Sequence, residues 1–300
     1  MKDKKEGERL LFGKRKPKLP TAEDCAPKPP VLQPDIQKYI PSTPGLLATS
    51  ISLIGGRKSQ QDALDYRVLP GGQFAASVCD GMGGLNGGAR ASQEACSGFF
   101  EEYEAAILRS RGAKGPPDLP QLARRLDRRI QGLRDSDGLP LDGGSTLTAV
   151  VIENGFFHWL SVGDSRIGLL REGKLHWLNR LHNYRLELDE ALRNGDISPE
   201  EYQAELPRGP ALLSYLGCGE LKYIDCRTRQ PFLPSDILLL CSDGFCELLP
   251  DDAMARTLNS LDDSMTNLPD LTAPFLDRAG RRQDNASAVI IRCRTIQQCK

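Results

Sequence analysis

The sequence predicts an α+β fold, because strand-like and helix-like segments both recur along most of the chain. From residue 47 onward, short apolar runs bounded by turn residues alternate with longer runs whose apolar residues recur every three or four positions. Successive strand-like runs are joined by tight turns, which is typical of antiparallel sheets, and the helix-like runs come in pairs. Antiparallel strands with inserted helix pairs indicate a layered α+β domain.

The first elements in chain order are a hairpin and two helices. Asp65–Leu69 and Gln73–Cys79 flank the turn residues Pro70, Gly71 and Gly72 and are predicted to pair. In 89–108 apolar residues recur every four positions, and 122–133 repeats that amphipathic pattern after a polar loop containing glycine and proline.

The middle of the chain is predicted to form consecutive strands with short turns. Asn154-Gly155 and Glu172-Gly173 are the turn signals between two successive pairs. The four strands are Thr146–Ile152, Phe156–Val162, Ile167–Leu170 and Leu175–Leu178.

Helices follow, and two further strands close the domain. Tyr184–Arg193 is predicted to be a helix with Gly195 as its C-cap, and Ser198 starts the next one with Pro199 and a Glu three residues on. The last strands are Ile237–Cys241 and Ala286–Cys293, with helical stretches near 251–259 and 270–280 between them.

The 300 residues and 39% hydrophobic content suffice for one large domain, 46–295, with a tail at 1–45. The tail is rich in proline, and its beginning is rich in Lys and Arg. Such a segment buries too little apolar surface to offset its loss of conformational entropy, so we expect 1–45 to be disordered. Its basic start is either a docking arm for an acidic partner, membrane surface or nucleic acid, or a solvated leader.

Composition narrows the class of protein. The net charge of −1 gives the whole chain no bias toward nucleic acid, so no nucleic-acid partner is expected. The longest clear apolar run, Ile237–Cys241, is far shorter than the ~20 residues of a membrane helix, so no membrane span is expected. The N-terminus lacks an apolar signal-peptide core, and the nine cysteines show no Cys-x-x-Cys spacing. We therefore expect a cytoplasmic protein whose strand cysteines (Cys79, Cys241, Cys293) are free thiols.

Aspartates next to glycine or asparagine adjoin apolar runs at three distant points. Asp80 precedes Gly81, Asp243 precedes Gly244, and Asp284 comes just before the last strand. Strand ends of this kind can bring hard oxygen ligands together at one edge of a sheet. Mg²⁺ and Mn²⁺ prefer such oxygens, and the only three histidines have no ligand spacing, so the residues favour Mg²⁺ or Mn²⁺ over Zn²⁺.

These motifs, in their order, resemble the metal-dependent protein phosphatase (PPM) family, the type-2C serine/threonine phosphatases. The resemblance spans about residues 47–294 and includes 57–62, 80–84, 144–146, 162–166 and the two later aspartates. Met82 stands where some eukaryotic relatives have a histidine, so the chain is bacterial-like. The resemblance implies a four-layer αββα sandwich of two antiparallel sheets flanked by helix pairs, with the metal site at one end.

The resemblance also implies roles for individual residues. Asp80 would bridge two ions and the Gly81 carbonyl would bind one of them, with Asp243 and Asp284 as further ligands and Asp62 assisting. Arg57 would hold the substrate phosphate with its guanidinium fork, and with Asp80 it makes up the catalytic pair.

Other positions depart from the family pattern or leave alternatives open. Gln61 stands where many members have Glu and brings less charge to the second ion. Asp142 is either the ligand of a third, weaker ion or an ordinary loop aspartate. Asp164 is expected to hold a strand end by hydrogen bonds and to pair with Arg166, and the three histidines are expected to be structural.

The implied function is hydrolysis of phosphoserine and phosphothreonine in proteins by a metal-bridging hydroxide, without a covalent phosphoenzyme. This mechanism requires two Mn²⁺ or Mg²⁺ ions, which in two-metal sites generally lie about 3.5–4 Å apart. Partners would include a bacterial Ser/Thr kinase and its substrates. The alternative is a pseudophosphatase that binds phosphoproteins or a partner without turnover; Gln61 favours it, and the three core aspartates oppose it. Two further alternatives are a phosphatase dedicated to one regulator and a nucleic-acid binder that uses the basic arm.

Overall fold

A computed structural model of the protein describes residues 35–39, 45–84, 87–109, 115–276 and 283–294. The strands are β1 (Asp35–Tyr39), β2 (Leu46–Leu53), β3 (Asp62–Val68), β4 (Phe74–Gly83), β5 (Gly143–Ser145), β6 (Leu147–Glu153), β7 (Phe156–Val162), β8 (Arg166–Arg171), β9 (Lys174–Trp177), β10 (Asp225–Pro231), β11 (Ile237–Cys241) and β12 (Ala286–Cys293). The α-helices are α1 (Gly87–Arg109), α2 (Leu119–Gln131), α3 (Tyr184–Asn194), α4 (Pro199–Glu205), α5 (Asp243–Leu248), α6 (Asp251–Asn259) and α7 (Leu268–Leu276), and Leu206–Arg208 is a 3-10 turn.

Two antiparallel sheets form the centre of the domain. One has the strand order β1-β2-β12-β11-β8-β9, and the other has the order β10-β7-β6-β4-β3, with β5 paired to β4. Helices α1 and α2 cover the second sheet, whereas α5, α6 and α7 cover the first. The predicted four-layer αββα sandwich is confirmed.

Three apolar layers hold the sandwich together, and strands buried on both faces explain the continuous apolar runs. In β4, Ala75 and Cys79 face α1 and α2, while Phe74, Ala76 and Val78 face the other sheet. Strand β11 alternates in the same way between the middle layer and the layer under α5–α7. Because side chains alternate between the two faces of a strand, successive residues of β4 and of β11 lie in different apolar layers.

The turns and helix caps that the sequence predicts are present in the structure. Asn154 and Glu172 adopt left-handed φ of 50° and 51°, each followed by a glycine, which is the geometry of a two-residue hairpin turn. Gly195 closes α3 with φ of 79°. The Ser198 hydroxyl accepts from the Glu201 N–H while the Glu201 carboxylate accepts from the Ser198 N–H, a complete capping box.

Most of the tail expected at 1–45 lies outside the described residues, which include only 35–39 and residue 45 of it. There Asp35–Tyr39 pairs with β2, from Asp35 opposite Ser52 to Tyr39 opposite Ala48, so this part of the predicted tail forms an edge strand. The edge of β2 offers backbone N–H and C=O groups that an added strand satisfies. The sheet therefore begins before residue 46. None of the helices in the described ranges is both long and apolar enough to cross a bilayer.

Candidate active site

The aspartates singled out by the sequence meet at one end of the two sheets. Asp62 begins β3 and lies directly opposite Asp80 in the β3–β4 register. Asp243 is the first residue of α5, just after β11, and Asp284 lies two residues before β12. Because β11 and β12 are antiparallel neighbours, the end of one and the start of the other share an edge.

Hydrogen bonds from the Gly-Ser-Thr motif fix the backbone of Asp80. The Asp80 N–H donates to Thr146 Oγ1 at 2.9 Å, and the Thr146 N–H donates to the Asp80 carbonyl at 2.8 Å. The Ser145 hydroxyl lies 3.1 Å from the same carbonyl. The motif therefore positions Asp80, a role that the sequence did not reveal.

Close backbone packing holds Gly81 beside α1. A Cβ atom at Gly81 would lie 2.1 Å from the Gly88 carbonyl oxygen, so no larger residue fits without displacement. The Gly81 N–H donates to the Gln61 carbonyl at 3.0 Å. Glycine at 81 thus lets the strand, the loop before β3 and the start of α1 converge next to Asp80.

Asn285 connects the loop before β3 to the start of β12. Its side-chain oxygen accepts from the Gln61 N–H at 2.8 Å, and its amide donates to the carbonyls of Ile54 and Ser59 at 2.8 and 3.1 Å. Its side chain is almost fully buried, with 4% of the residue exposed. This network sets the position of Asp284, whose carboxylate forms an ion pair with Arg57.

Burial and mutual repulsion make Asp62 and Asp80 reluctant to ionise. The pKa of Asp62 is raised to about 7, first by burial and then by the charges of Asp243 and Asp284, against hydrogen bonds from Ser287 and Ser242. The pKa of Asp80 is raised well above its usual value by burial and by the charges of Asp62 and Asp243. A bound cation would relieve both effects.

The donor set fits a divalent cation. Asp62 Oδ1 is buried without a hydrogen-bond partner, although such atoms are nearly always paired. Hard carboxylate oxygens are the ligands that Mg²⁺ and Mn²⁺ prefer. In the part of the chain that the structure describes, no three His, Cys, Asp or Glu side chains are already arranged as a metal cluster. Small movements of the carboxylate side chains toward a bound ion would be needed to complete such a cluster.

The structure groups Asp164 with these carboxylates, whereas the sequence predicted that it would hold a strand end near the site by hydrogen bonds. The pKa of Asp164 is raised to about 7, by burial and then by the charge of Asp243. Its expected partner Arg166 instead forms its ion pair with Asp251 at 3.4 Å and lies over the Trp177 ring. Glycine at 163, with φ of 101°, ends β7 and directs the chain to this edge. The turn Val162-Gly163-Asp164 is the sequence feature that could have indicated this position of Asp164.

Asp142 lies at the rim of the site rather than in the buried group. It is exposed and directly precedes β5, whose Gly143 pairs with Gly83. A cavity of about 380 Å³ opens on another side, lined by Asp164, Arg166, Arg185, Asp243, Cys246 and Glu247 among others. It offers both charged and apolar walls next to the carboxylates.

His182 and His158 both contact neighbouring elements of the fold. His182 is fully buried and accepts at Nδ1 from the Gly163 N–H at 3.1 Å, which places its proton on Nε2, 3.4 Å from Asp225. His158 accepts from the Arg229 N–H at 3.0 Å and contacts Glu153 at 3.2 Å. These contacts match the expected structural role of both residues.

Comparison with known proteins identifies the family. The sequence profile of the family described as Protein phosphatase 2C matches residues 52–286. The chain therefore belongs to the protein phosphatase 2C family. It is a metal-dependent serine/threonine protein phosphatase.

Bacterial phosphatases are among the relatives of this protein phosphatase 2C chain. It is 32% identical over 184 residues to the serine/threonine phosphatase stp of Listeria monocytogenes, covering 61% of this chain and 71% of the relative. It is 26% identical over 250 residues to the protein phosphatase PhpP of Streptococcus pneumoniae, covering 78% and 92%. The fold is similar to that of the Streptococcus agalactiae serine/threonine phosphatase, with a TM-score of 0.66, 23% identity, and coverage of 82% of this chain and 99% of the other.

Proposed function

We propose that this phosphatase removes phosphate from phosphoserine and phosphothreonine in proteins at the edge formed by Asp62, Asp80, Asp243 and Asp284. The observation that carries the proposal is the buried, unpartnered Asp62 Oδ1 within a group of carboxylates whose charges raise one another's pKa. Such an arrangement is unfavourable in the free protein and favourable around divalent cations.

Two Mn²⁺ or Mg²⁺ ions are the proposed cofactors, held by Asp80, Asp243, Asp284 and the Gly81 carbonyl, with Asp62 assisting. When bound, such ions neutralise charge on the phosphoryl oxygens and lower the pKa of a water molecule. A structure of similar fold supports the number: the catalytic domain of the serine/threonine protein phosphatase PstP, with a TM-score of 0.57 and 21% identity, is described in complex with two manganese ions.

The chain's own residues would position the reactants. The hydrogen bonds that Ser145 and Thr146 form with the backbone of Asp80 hold this residue in place, so its carboxylate needs little reorganisation during the reaction. Arg57, with 56% of its side chain exposed, would exchange its contact with Asp284 for the substrate phosphate. Met82 has no proton to donate, so water would protonate the leaving hydroxyl of the serine or threonine.

Asp142 is the proposed ligand of a third, weaker ion near this edge. Asp142 lies beside Gly83 at the rim, and Asp164 lies close enough to Asp243 for their charges to interact. Gln61 contributes less charge than the Glu of many relatives, so we expect the second ion to bind more weakly here.

The proposed partners are cytoplasmic phosphoproteins, including a bacterial Ser/Thr kinase and its substrates. The relatives named as serine/threonine and protein phosphatases support the substrate class. The pseudophosphatase alternative has no support among these relatives, and the chain keeps all three core aspartates.

Hydrolysis of a phosphothreonine peptide tests the proposal. Activity should require added Mn²⁺ or Mg²⁺, disappear with EDTA and return when metal is restored. A folded, metal-loaded protein without turnover that still binds the phosphopeptide would contradict the proposal and support the pseudophosphatase.

A further inference from the structure

Two free cysteines lie on either side of Asp243 and contact each other. Cys241 is the last residue of β11 and Cys246 lies in α5, and their sulfur atoms are 3.5 Å apart. A disulfide has an S–S length of about 2.0 Å, so an approach of roughly 1.5 Å would bond them. Small rotations at the start of α5 could supply it.

The two thiols differ in access. Cys241 is fully buried, whereas Cys246 is partly exposed and lines the cavity of about 380 Å³ beside Asp243. A small oxidant that enters the cavity therefore meets Cys246 first, and Cys241 lies directly behind it. Cys79 and Cys96 also lie side by side, but both are buried.

The segment between the two cysteines is part of the proposed metal site. It contains Asp243 and also Ser242, which donates a hydrogen bond to Asp62 at 2.9 Å. Gly244 packs so closely against the start of β12 that a Cβ there would lie 2.1 Å from the Asn285 carbonyl oxygen. Any shift of the first turn of α5 therefore moves Asp243 and presses on the backbone next to Asp284.

We propose that Cys241 and Cys246 form a reversible disulfide under hydrogen peroxide, and that this disulfide inactivates the phosphatase by displacing Asp243. The Cys246 sulfur attacks peroxide and breaks the O–O bond, giving a sulfenic acid and one water. The Cys241 sulfur then attacks that sulfenic sulfur, the S–O bond breaks, and a second water leaves. Two thiols and one peroxide thus become one disulfide and two waters, and a dithiol reductant reverses the change. The inactivation step rests on the proposed function, since it takes Asp243 as a metal ligand.

Peptide mapping tests the proposal directly. Full-length protein is treated with peroxide or with dithiothreitol, its free thiols are alkylated, and it is digested with trypsin. The peptide 230–256 contains Cys241 and Cys246 and no other cysteine. After peroxide we expect this peptide to lose two hydrogen atoms and take up no alkyl group, in proportion to the loss of Mn²⁺-dependent activity. Dithiothreitol should restore both.

Matched variants separate this disulfide from other oxidation. The activity of each variant after peroxide is compared with its own reduced activity. Cys246→Ser should no longer show a loss that dithiothreitol reverses, whereas Cys293→Ser, which removes another partly exposed thiol, should respond like the wild type. Two alkyl groups on peptide 230–256 after reversible inactivation would overturn the proposal, as would a complete disulfide with full activity. The peptide mass does not depend on catalysis, and it alone decides whether the disulfide forms. A chain without any phosphatase activity would instead contradict the proposed function.

Discussion

The Ser242 hydroxyl donates a hydrogen bond to Oδ2 of Asp62, 180 residues earlier in the chain, at 2.9 Å. Ser242 follows β11 of one sheet, and Asp62 begins β3 of the other. The Ser242 oxygen also accepts from the Ser287 N–H at 3.0 Å, at the start of β12. One serine therefore fixes the relative position of the two sheet edges that supply the proposed metal ligands.

Ser242→Ala should weaken metal binding more than it weakens turnover at saturating metal. The variant removes a hydrogen bond to a charged carboxylate, worth about 1.5–3 kcal/mol, so the Mn²⁺ concentration for half-maximal activity should rise roughly tenfold or more. Ser97→Ala, which removes an exposed hydroxyl that donates to the Gln93 carbonyl on α1, is the control. An unchanged Mn²⁺ requirement would show that Ser242 does not position Asp62 for the metal.

Arg57→Ala should mainly impair binding of the substrate phosphate. Loss of a charge-assisted contact should raise KM for p-nitrophenyl phosphate by roughly tenfold, measured at saturating Mn²⁺. Lys58→Ala removes the neighbouring exposed cation and should leave KM near the wild-type value. Equal effects of the two substitutions would mean that Arg57 acts only through general positive charge.

Gly244→Ala should destabilise the fold and distort the site together. The added methyl group would approach the Asn285 carbonyl oxygen to 2.1 Å, and overpacking of this kind costs about 1–3 kcal/mol. A thermal melt should show Tm lowered by several degrees, and the Mn²⁺ requirement should increase. Gly132→Ala is the control, because its φ is −74° and its nearest contact is 3.3 Å. A Gly244→Ala protein with wild-type Tm would contradict the close packing of α5 on β12.

Asp225 should contribute stability that acid removes. Burial opposes ionisation of Asp225, but the neighbouring His182 ring and hydrogen bonds from Arg180 outweigh it and hold its pKa below the usual range. Because the folded pKa lies below the unfolded one, this stability is fully present above about pH 4 and is lost as pH falls further.

Thermal melts of Asp225→Asn against pH measure that contribution. At pH 7 the variant should have a lower Tm than the wild type, and the difference should shrink below about pH 4 as the wild-type carboxylate is protonated. The matched control is Asp196→Asn, an exposed loop aspartate. A difference in Tm that stays constant down to the lowest pH would show that the Asp225 charge does not matter.

The sequence predicted most of the fold because its signals were local. The turns at Asn154-Gly155 and Glu172-Gly173 and the capping box at Ser198 depend on neighbouring residues, and all form as expected. β10 was missed because Asp225–Pro231 is charged, only partly buried and irregular in its pairing with β7. β1 was missed because a short strand at a sheet edge depends on its neighbour rather than on its own composition.

The site was only partly predictable, because its supporting contacts are long-range. Motif order indicated that Asp62, Asp80, Asp243 and Asp284 lie together, and the structure places them at one end of the two sheets. The contribution of Asp164 could not be read from its local motif, which favoured a pair with Arg166. Its surroundings are set by burial and by Asp243, and Arg166 is drawn away by Asp251 and Trp177.

We propose that Asp80 holds the metal ions that make this chain an active phosphatase. The most direct measurement compares Mn²⁺-dependent hydrolysis of a phosphothreonine peptide by the wild type, Asp80→Asn and Asp65→Asn, with Mn²⁺ binding measured by calorimetry on the same samples. Asp65 lies on the neighbouring strand β3 and makes its ion pair with Arg67, so it controls for the loss of one carboxylate. We expect Asp80→Asn to remain folded, to lose nearly all turnover and to bind less Mn²⁺, while Asp65→Asn behaves like the wild type. Full activity and unchanged Mn²⁺ binding in Asp80→Asn would contradict this role of Asp80.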